Sequence, residues 1–418
     1  MKKALPVVSI AIVVIGILIA VYFLFFSGSA GVTVDNGIPT NNPFGAPGGA
    51  TQNTGAADTG AQSEAPDTAT RVAPRLVKIT SRPVAFGAIA LTATTTPVAN
   101  LASSTEPTPT VEPFYSLLVR YIDRESGNMY EYAGSEGKVT RITNRTVPGV
   151  HEVSWLPDGS RAFVRFVATD TDGSEHIETY ALPADGSDGA FLARDLAAVI
   201  PERGGSVFTF LPSSSGSVGM VGRPDGSGQI TLFTSALSAL TFSSSSSDLV
   251  ATTKPSAALP GYAFLVDGTA GTFIRELGPL PGLATLFAPT GDRILYSAVV
   301  NGSLALAAYD LKTHATLSLP VQTLAEKCVW TADGTAAYCG VPTSFPGLTL
   351  PDSWYQGTVS FTDRLWKIDF STRTATLLLD LTKETSESID AVSLTLDPRG
   401  STLVFTNRRD GSLWAYSL

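Results

Sequence analysis

The sequence predicts an all-β protein: a seven-bladed β-propeller with strand-exchange closure, preceded by an N-terminal transmembrane helix and a disordered linker. Three observations predict it. A hairpin at 153–164 (Val-Ser-Trp-Leu-Pro-Asp-Gly-Ser-Arg-Ala-Phe-Val) returns at 287–296, 330–338 and 396–405. A second strand pattern, apolar-x-x-aromatic or apolar-aromatic-x-apolar, recurs at 129–132, 177–180, 306–309, 365–368 and 413–416. Charged residues are scarce at 16%, while Gly (38) and Pro (27) are plentiful, the balance of many short strands joined by turns. A unit recurring in this way is the signature of a repeat architecture.

The N-terminus comes first in the chain. Met1-Lys-Lys precedes an uncharged apolar run from Leu5 to Phe26. Its length of about 22 residues matches the roughly 20 that cross a bilayer as a helix. Lys2 and Lys3 are expected on the cytoplasmic side, which sends the rest of the chain outside the cytoplasm. A cleaved signal peptide with a processing site near 28–30 is the competing reading, although signal cores usually run only about 7–15 residues. Residues 1–26 are therefore read as the anchor (or signal peptide), 27–74 as a linker and 75–418 as the propeller. The linker is rich in Gly, Ala, Thr, Asn, Ser and Pro and carries Asp35, Asp58, Glu64, Asp67 and Arg71 as its charges. No hydrophobic period survives there to offset the entropy of ordering. As a flexible coil it would span roughly 40 Å.

Within the propeller, Pro157 presets φ and Gly159 supplies a conformation other residues resist, so the 155–160 turn has a mechanism. Gly291 and Gly334 are 43 positions apart, the length of a four-stranded blade. Seven inner strands are expected near 84–92, 150–155, 206–211, 237–242, 283–288, 327–332 and 391–396. Residues 75–84 align with 138–147, an outermost strand that leads into the next blade. The chain stops on a third strand at 413–418. Residues 75–80 are thus expected to supply the missing fourth strand and remove a free edge.

The Trp155-x-Pro-Asp-Gly159 turn resembles the WD40-like repeat of TolB-type bacterial propellers. The likeness covers 75–418 in outline and is clear at Gly159, Gly291, Gly334 and Gly400. The motif is eroded at 210–216 and 242–248, and no Trp-Asp dipeptide occurs.

The net charge of −9 argues against nucleic acid as a partner, since phosphate recognition needs a basic surface. Two cysteines and three histidines supply no metal cluster, and no cofactor is implied. His151, His176 and His314 are read as belonging to different blades, with no nucleophile elbow beside them. The Asp170–Glu175 stretch is oxygen-rich but lacks the distal glutamate of a calcium loop, and reads as a hairpin turn. Cys328 and Cys339 flank the Asp333-Gly334 turn symmetrically. They are either a cross-strand disulfide, as an oxidising compartment favours, or buried thiols.

Two inserts stand out. Residues 93–113 are Thr/Pro-rich and lie on the face of the disc that carries the Gly159-type turns. Residues 343–360 lie on the opposite face and carry Phe345, Trp354 and Tyr355. Either this loop folds down over its blade or the central channel, or its aromatics form the binding site for a ligand or partner. The expected function is a binding or scaffolding module in the bacterial envelope, anchored in the membrane and meeting an envelope protein or extracellular ligand as a monomeric propeller. The alternative is a carbohydrate-active hydrolase or lyase on the same fold, because propellers host many functions.

Overall fold

The computed structural model describes residues 75–95, 114–144, 146–147, 149–202, 204–346 and 349–418. The described residues all belong to one compact unit. The predicted anchor, the linker up to residue 74 and residues 96–113 lie outside the described residues. Among the described residues no helix is long and apolar enough to cross a membrane.

Seven four-stranded antiparallel sheets follow one another along the chain. Blade one holds β2 (Ile89–Thr95), β3 (Phe114–Ile122), β4 (Met129–Ala133) and β5 (Lys138–Arg141). Blade two holds β6 (Val150–Trp155), β7 (Arg161–Thr169), β8 (Glu175–Pro183) and β9 (Ala190–Phe191). Blade three holds β10 (Ala198–Pro201), β11 (Val207–Ser213), β12 (Gly216–Gly222) and β13 (Ile230–Ser235). Blade four holds β14 (Leu240–Ser244), β15 (Leu249–Thr253), β16 (Pro260–Val266) and β17 (Phe273–Pro281). Blade five holds β18 (Ala284–Phe287), β19 (Arg293–Val300), β20 (Ser303–Asp310) and β21 (Thr316–Ser318). Blade six holds β22 (Cys328–Trp330), β23 (Ala336–Pro342), β24 (Asp363–Asp369) and β25 (Thr374–Asp380). Blade seven holds β26 (Ala391–Leu396), β27 (Thr402–Asn407) and β28 (Leu413–Ser417), with β1 (Leu76–Thr80) as its outermost strand.

That last pairing closes the ring. β1 runs antiparallel to β28, with Leu76 opposite Tyr416, Val77 opposite Ala415 and Lys78 opposite Trp414. Side chains reinforce the seam. Arg75 donates to the Ser417 carbonyl at 3.1 Å and stacks over the Tyr416 ring, while Lys78 lies over the Trp414 ring and pairs with Glu387 at 2.9 Å. The inner strands β2 and β26 touch where first and last blades meet.

The repeated turn has a physical reason at each position. Gly159 takes φ +70°, and a Cβ there would stand 2.6 Å from Leu91 Cδ1 on blade one. Glycine is needed for backbone freedom and also for the neighbour's approach. Asp158 accepts from the Ser160 amide at 2.9 Å and the Ser160 hydroxyl at 2.7 Å, which holds its carboxyl below the usual carboxylate range. The aromatic before the turn reaches back to the preceding blade. Trp155 Nε1 donates to the Gly87 carbonyl at 2.5 Å, and Trp330 Nε1 to the Leu286 carbonyl at 3.2 Å. The motif is therefore glue between blades as well as a hairpin.

Four expectations need correcting. The inner strand of blade three is Ala198–Pro201, and the 206–211 segment is its second strand. Its first turn closes through Glu202 and Ser206, with Gly205 at φ +81°, and carries no Pro-Asp-Gly signal. The 213–216 hairpin, read as an eroded first turn, joins the second and third strands and so belongs to the opposite face. In blade one the inner strand begins at Ile89. Val84 and Phe86 make isolated bridges to Asp123 and Glu152 before it. His151 and His176 both lie in blade two, on β6 and β8, because that blade's strands are long; His314 alone is elsewhere, in blade five.

Candidate functional site

The face opposite the Gly159-type turns is built from second-to-third strand loops and from the links between blades. Its most elaborate feature is the loop between β23 and β24. This loop holds α1 (Asp352–Tyr355), a single turn of helix. Asp352 reaches across to blade four and accepts from the Ala257 amide at 2.7 Å.

The loop's aromatics do different things. Trp354 is 7% exposed and packs with Leu304, Leu324, Val359, Phe361 and Val392, a cluster that Phe86, from the link into blade one, also joins. Its indole Nε1 donates to Asp390 Oδ2 at 3.0 Å. Arg408 stacks over the Trp354 ring with its guanidinium carbon 4.5 Å from the centroid, and donates to the Trp354 carbonyl at 2.6 Å. Tyr355 is half-buried, and its hydroxyl donates to Glu326 at 2.8 Å. Desolvation pushes the Glu326 carboxyl up from its ordinary range, and burial and that carboxylate together push the Tyr355 hydroxyl up as well. Phe345 sits at the other end of the loop, edge-on to Phe361 at 5.8 Å between centroids.

Beneath the loop lies a cluster of charge. Lys327, on the 3-10 turn Ala325–Lys327, is fully buried, as are Asp363 and Asp390. Its ammonium donates to Asp363 Oδ2 at 2.8 Å, to Asp390 Oδ1 and to the Ala391 carbonyl at 3.0 Å. Two carboxylates facing one ammonium leave a buried excess of negative charge, which is costly. Burial accordingly pushes the Asp363 carboxyl up to about 6, against the pull of Lys327. Nothing in the sequence marked these three residues. They come from a blade-to-blade link, the start of a third strand and the approach to an inner strand.

Phe345 also lines an open cleft of about 650 Å³ with Pro346, Thr349 and Leu350. The other walls are Ala257 from blade four, Val299, Gly302, Ser303 and Leu304 from the blade-five hairpin, and Gln322 from the link into blade six. That volume falls in the range of small-ligand sites, roughly 300–1,000 Å³. The described lining holds hydroxyl, amide and apolar groups, and no carboxylate, imidazole, ammonium or guanidinium. Leu259 and Val300, both exposed, follow wall residues closely in sequence. Of the three predicted site aromatics, only Phe345 lines this cleft. Trp354 and Tyr355 turn inward and carry the loop.

Cys328 and Cys339 face each other in register on β22 and β23 and are joined as a disulfide. The Asp170–Glu175 stretch is the turn between β7 and β8, where Asp172 accepts from the Ser174 amide and hydroxyl. Among the described residues no group of three or more His, Cys, Asp or Glu side chains is placed to hold a metal ion. The histidines are engaged locally: Arg124 meets His151 Nδ1 at 3.0 Å, Glu178 meets His176 Nε2 at 2.9 Å, and Tyr309 meets His314 Nδ1 at 2.8 Å.

No protein-family model matches the chain, and no curated protein is similar to it at the sequence level. Similar solved structures include an oligogalacturonate lyase in complex with manganese, 10% identical with a TM-score of 0.48, which covers 72% of this chain and 86% of that one. TolB from Acinetobacter baumannii is 10% identical with a TM-score of 0.41, over 72% of this chain and 76% of that one. The β-propeller domain of the Trilobed protease from Pyrococcus furiosus is 8% identical with a TM-score of 0.46, over 64% and 80%. The seven-bladed β-propeller fold follows from the chain's own seven four-stranded sheets.

Proposed function

We propose that this protein is a membrane-anchored, extracytoplasmic β-propeller that serves as a binding or scaffolding module of a bacterial envelope. The uncleaved anchor at 1–26 and the tether at 27–74 let the disc search the space near the membrane. The partner, an envelope protein or extracellular ligand, docks on the face opposite the Gly159-type turns. One observation carries this reading: the uncharged cleft of about 650 Å³ that loops of blades four, five and six wall with Phe345, Leu350, Val299 and Leu304. Such a lining recognises shape and apolar surface with a few orienting polar groups, here Ser303, Gln322 and Thr349. The Cys328–Cys339 disulfide suits an oxidising compartment. A glycoside hydrolase ordinarily needs paired carboxylates flanking the scissile bond, and the described lining of the cleft supplies none.

The test uses the anchored full-length protein in intact membranes. A photo-crosslinking residue replaces Gly302 on the cleft rim in one variant and Ser160 on the opposite face in another. The proposal expects a discrete adduct from position 302 and none from 160. Adducts from 160 alone would overturn it. Accessibility of the propeller to an impermeant label in whole cells tests the orientation.

A further inference from the structure

We propose that Lys327 and Asp363 become joined by an intramolecular isopeptide bond, with Asp390 acting as the proton acceptor. The geometry is that of a reaction poised in a dry pocket. Lys327, Asp363 and Asp390 are each 0% exposed at their side chains. The rings of Phe361 and Trp354 wall the ammonium, with their centroids 5.4 Å and 5.6 Å from it. The two carboxyl groups are placed for opposite tasks. Asp390 is held as an acceptor: its Oδ2 takes hydrogen bonds from Trp354 Nε1 and from the Phe361 amide, both at 3.0 Å, while Oδ1 faces the ammonium. Asp363 has one oxygen engaged and one idle. Its Oδ2 accepts from the Ala391 amide at 2.6 Å and from Lys327 at 2.8 Å, whereas the buried Oδ1 has no hydrogen-bond partner. A buried carboxyl oxygen without a partner is expensive as an anion. Burial raises this carboxyl to about 6, so a fraction of molecules carries the acid near neutral pH and mild acid increases that fraction. In that protonated, reactive form the pocket is neutral: one ammonium, one carboxylate and one carboxylic acid.

The step balances without any outside reagent. Asp390 takes one proton from Lys327 Nζ, and the freed lone pair attacks Cγ of Asp363. The C–N bond forms as negative charge gathers on Oδ2, where the Ala391 N–H stabilises it as an oxyanion-hole donor does. The C–Oδ1 bond then breaks, and Oδ1 leaves as water after taking a second proton from the nitrogen. Lys327 and Asp363 end as a secondary amide, and Asp390 keeps the first proton. A fixed amine and acid in contact enjoy the large effective concentration of an intramolecular reaction. The bond would tie the link between blades five and six to the start of β24, directly after the loop that carries α1.

Peptide mapping of the purified full chain tests the bond directly. The protein is reduced, denatured and digested with trypsin. Trypsin cuts the unlinked chain after Lys312, Lys327 and Arg364. The proposal expects instead one looped peptide, 313–364, uncut after Lys327 and lighter by one water, about 18 Da, than the same uncut peptide without the bond. Asp390→Asn, checked for a native circular-dichroism spectrum, should abolish the looped species and restore cleavage. Should that variant fail to fold, the native digest is sufficient on its own, since the mass of the looped peptide differs from that of a simple missed cleavage. Two separate, unmodified peptides from the native protein would overturn the proposal, and so would a bond from Lys327 to Asp390.

Discussion

The junction between blades three and four is packed with apolar side chains, whereas the junction between blades six and seven adds a buried ion cluster to its own apolar packing. At the first, Phe208, Phe210, Phe233 and Phe242 interlock with Leu240 and Leu249, and the ring centroids of Phe210 and Phe242 stand 4.7 Å apart. At the second, Lys327 bridges two carboxylates that belong to neighbouring blades. Aromatic packing is non-directional and tolerant of its exact register. A buried ion cluster is neither, because each charge must find its partner or remain desolvated at a cost of several kcal/mol. The first junction can therefore follow a weakened turn motif and still pack, while the second pins the loop carrying α1 through Asp390, Trp354 and the Phe361 amide. Apolar packing joins the blades at both junctions, and the ion cluster at the second also positions a single loop on one face.

The largest expected effect tests the frame that both junctions share. Deleting 75–83 removes β1 and should abolish cooperative folding, whereas deleting 30–70 should leave the melting temperature nearly unchanged. Equal effects would refute closure by β1.

Next come the junctions themselves. Phe210→Ala should cost about 3–5 kcal/mol, the usual range for truncating a buried aromatic. Lys327→Ala, which removes the group that joins the buried Asp363 and Asp390, should cost a similar ~3–5 kcal/mol. Denaturant melts at several pH values would separate the two variants: the Phe210→Ala loss should be flat with pH, and the Lys327→Ala loss should shrink under acid as the buried Asp363 carboxyl, already raised, protonates. Replacing Cys328 and Cys339 together by alanine removes a short covalent loop and should cost about 2–3 kcal/mol, read against the oxidised native protein, with the reduced native protein as the control for side-chain packing.

Tyr355→Phe is a subtler probe of the ionic side. The tyrosine hydroxyl counteracts the desolvation that raises Glu326, so its loss pushes that carboxyl further up. A group whose folded value lies above its unfolded one stabilises the fold below the unfolded value and loses that contribution as pH rises through the folded one. The variant should therefore be weaker by about 1–3 kcal/mol at pH 7.5 and by less near pH 4.5. A deficit that grows toward acid would reverse the assignment. The smallest expected effect is Phe345→Ala: about 1 kcal/mol or less in stability from a lost edge-on ring contact, with loss of the position-302 adduct. That separation of stability from binding is what a cleft residue should give and a core residue should not.

Much of the ring was legible in the sequence. The Pro-Asp-Gly turns, the apolar-aromatic third strands and the alignment of 75–84 with 138–147 are local patterns, and each reports a local backbone requirement. They located six of the seven inner strands within a few residues. They failed at blade three, where Glu202 to Ser206 turns without the motif and a serine-rich hairpin elsewhere resembles it. The Cys328–Cys339 pairing was visible as symmetry about Gly334, though not as a bond. The aromatics at 345, 354 and 355 were visible as a group, yet their division of labour was not. Whether an indole faces a partner or a buried aspartate depends on residues 36 positions away, as with Trp354 and Asp390.

Short-range patterns thus suffice for the repeat, its ring closure and the loop that departs from the pattern on one face, because turn chemistry and strand alternation act over a handful of neighbouring residues. The meeting of Lys327, Asp363 and Asp390, the inward turn of Trp354 and the opening of Phe345 onto a cleft arise at another level. They depend on how blades pack against one another, and burial converts chance proximity into a constraint on charge only once water has been excluded.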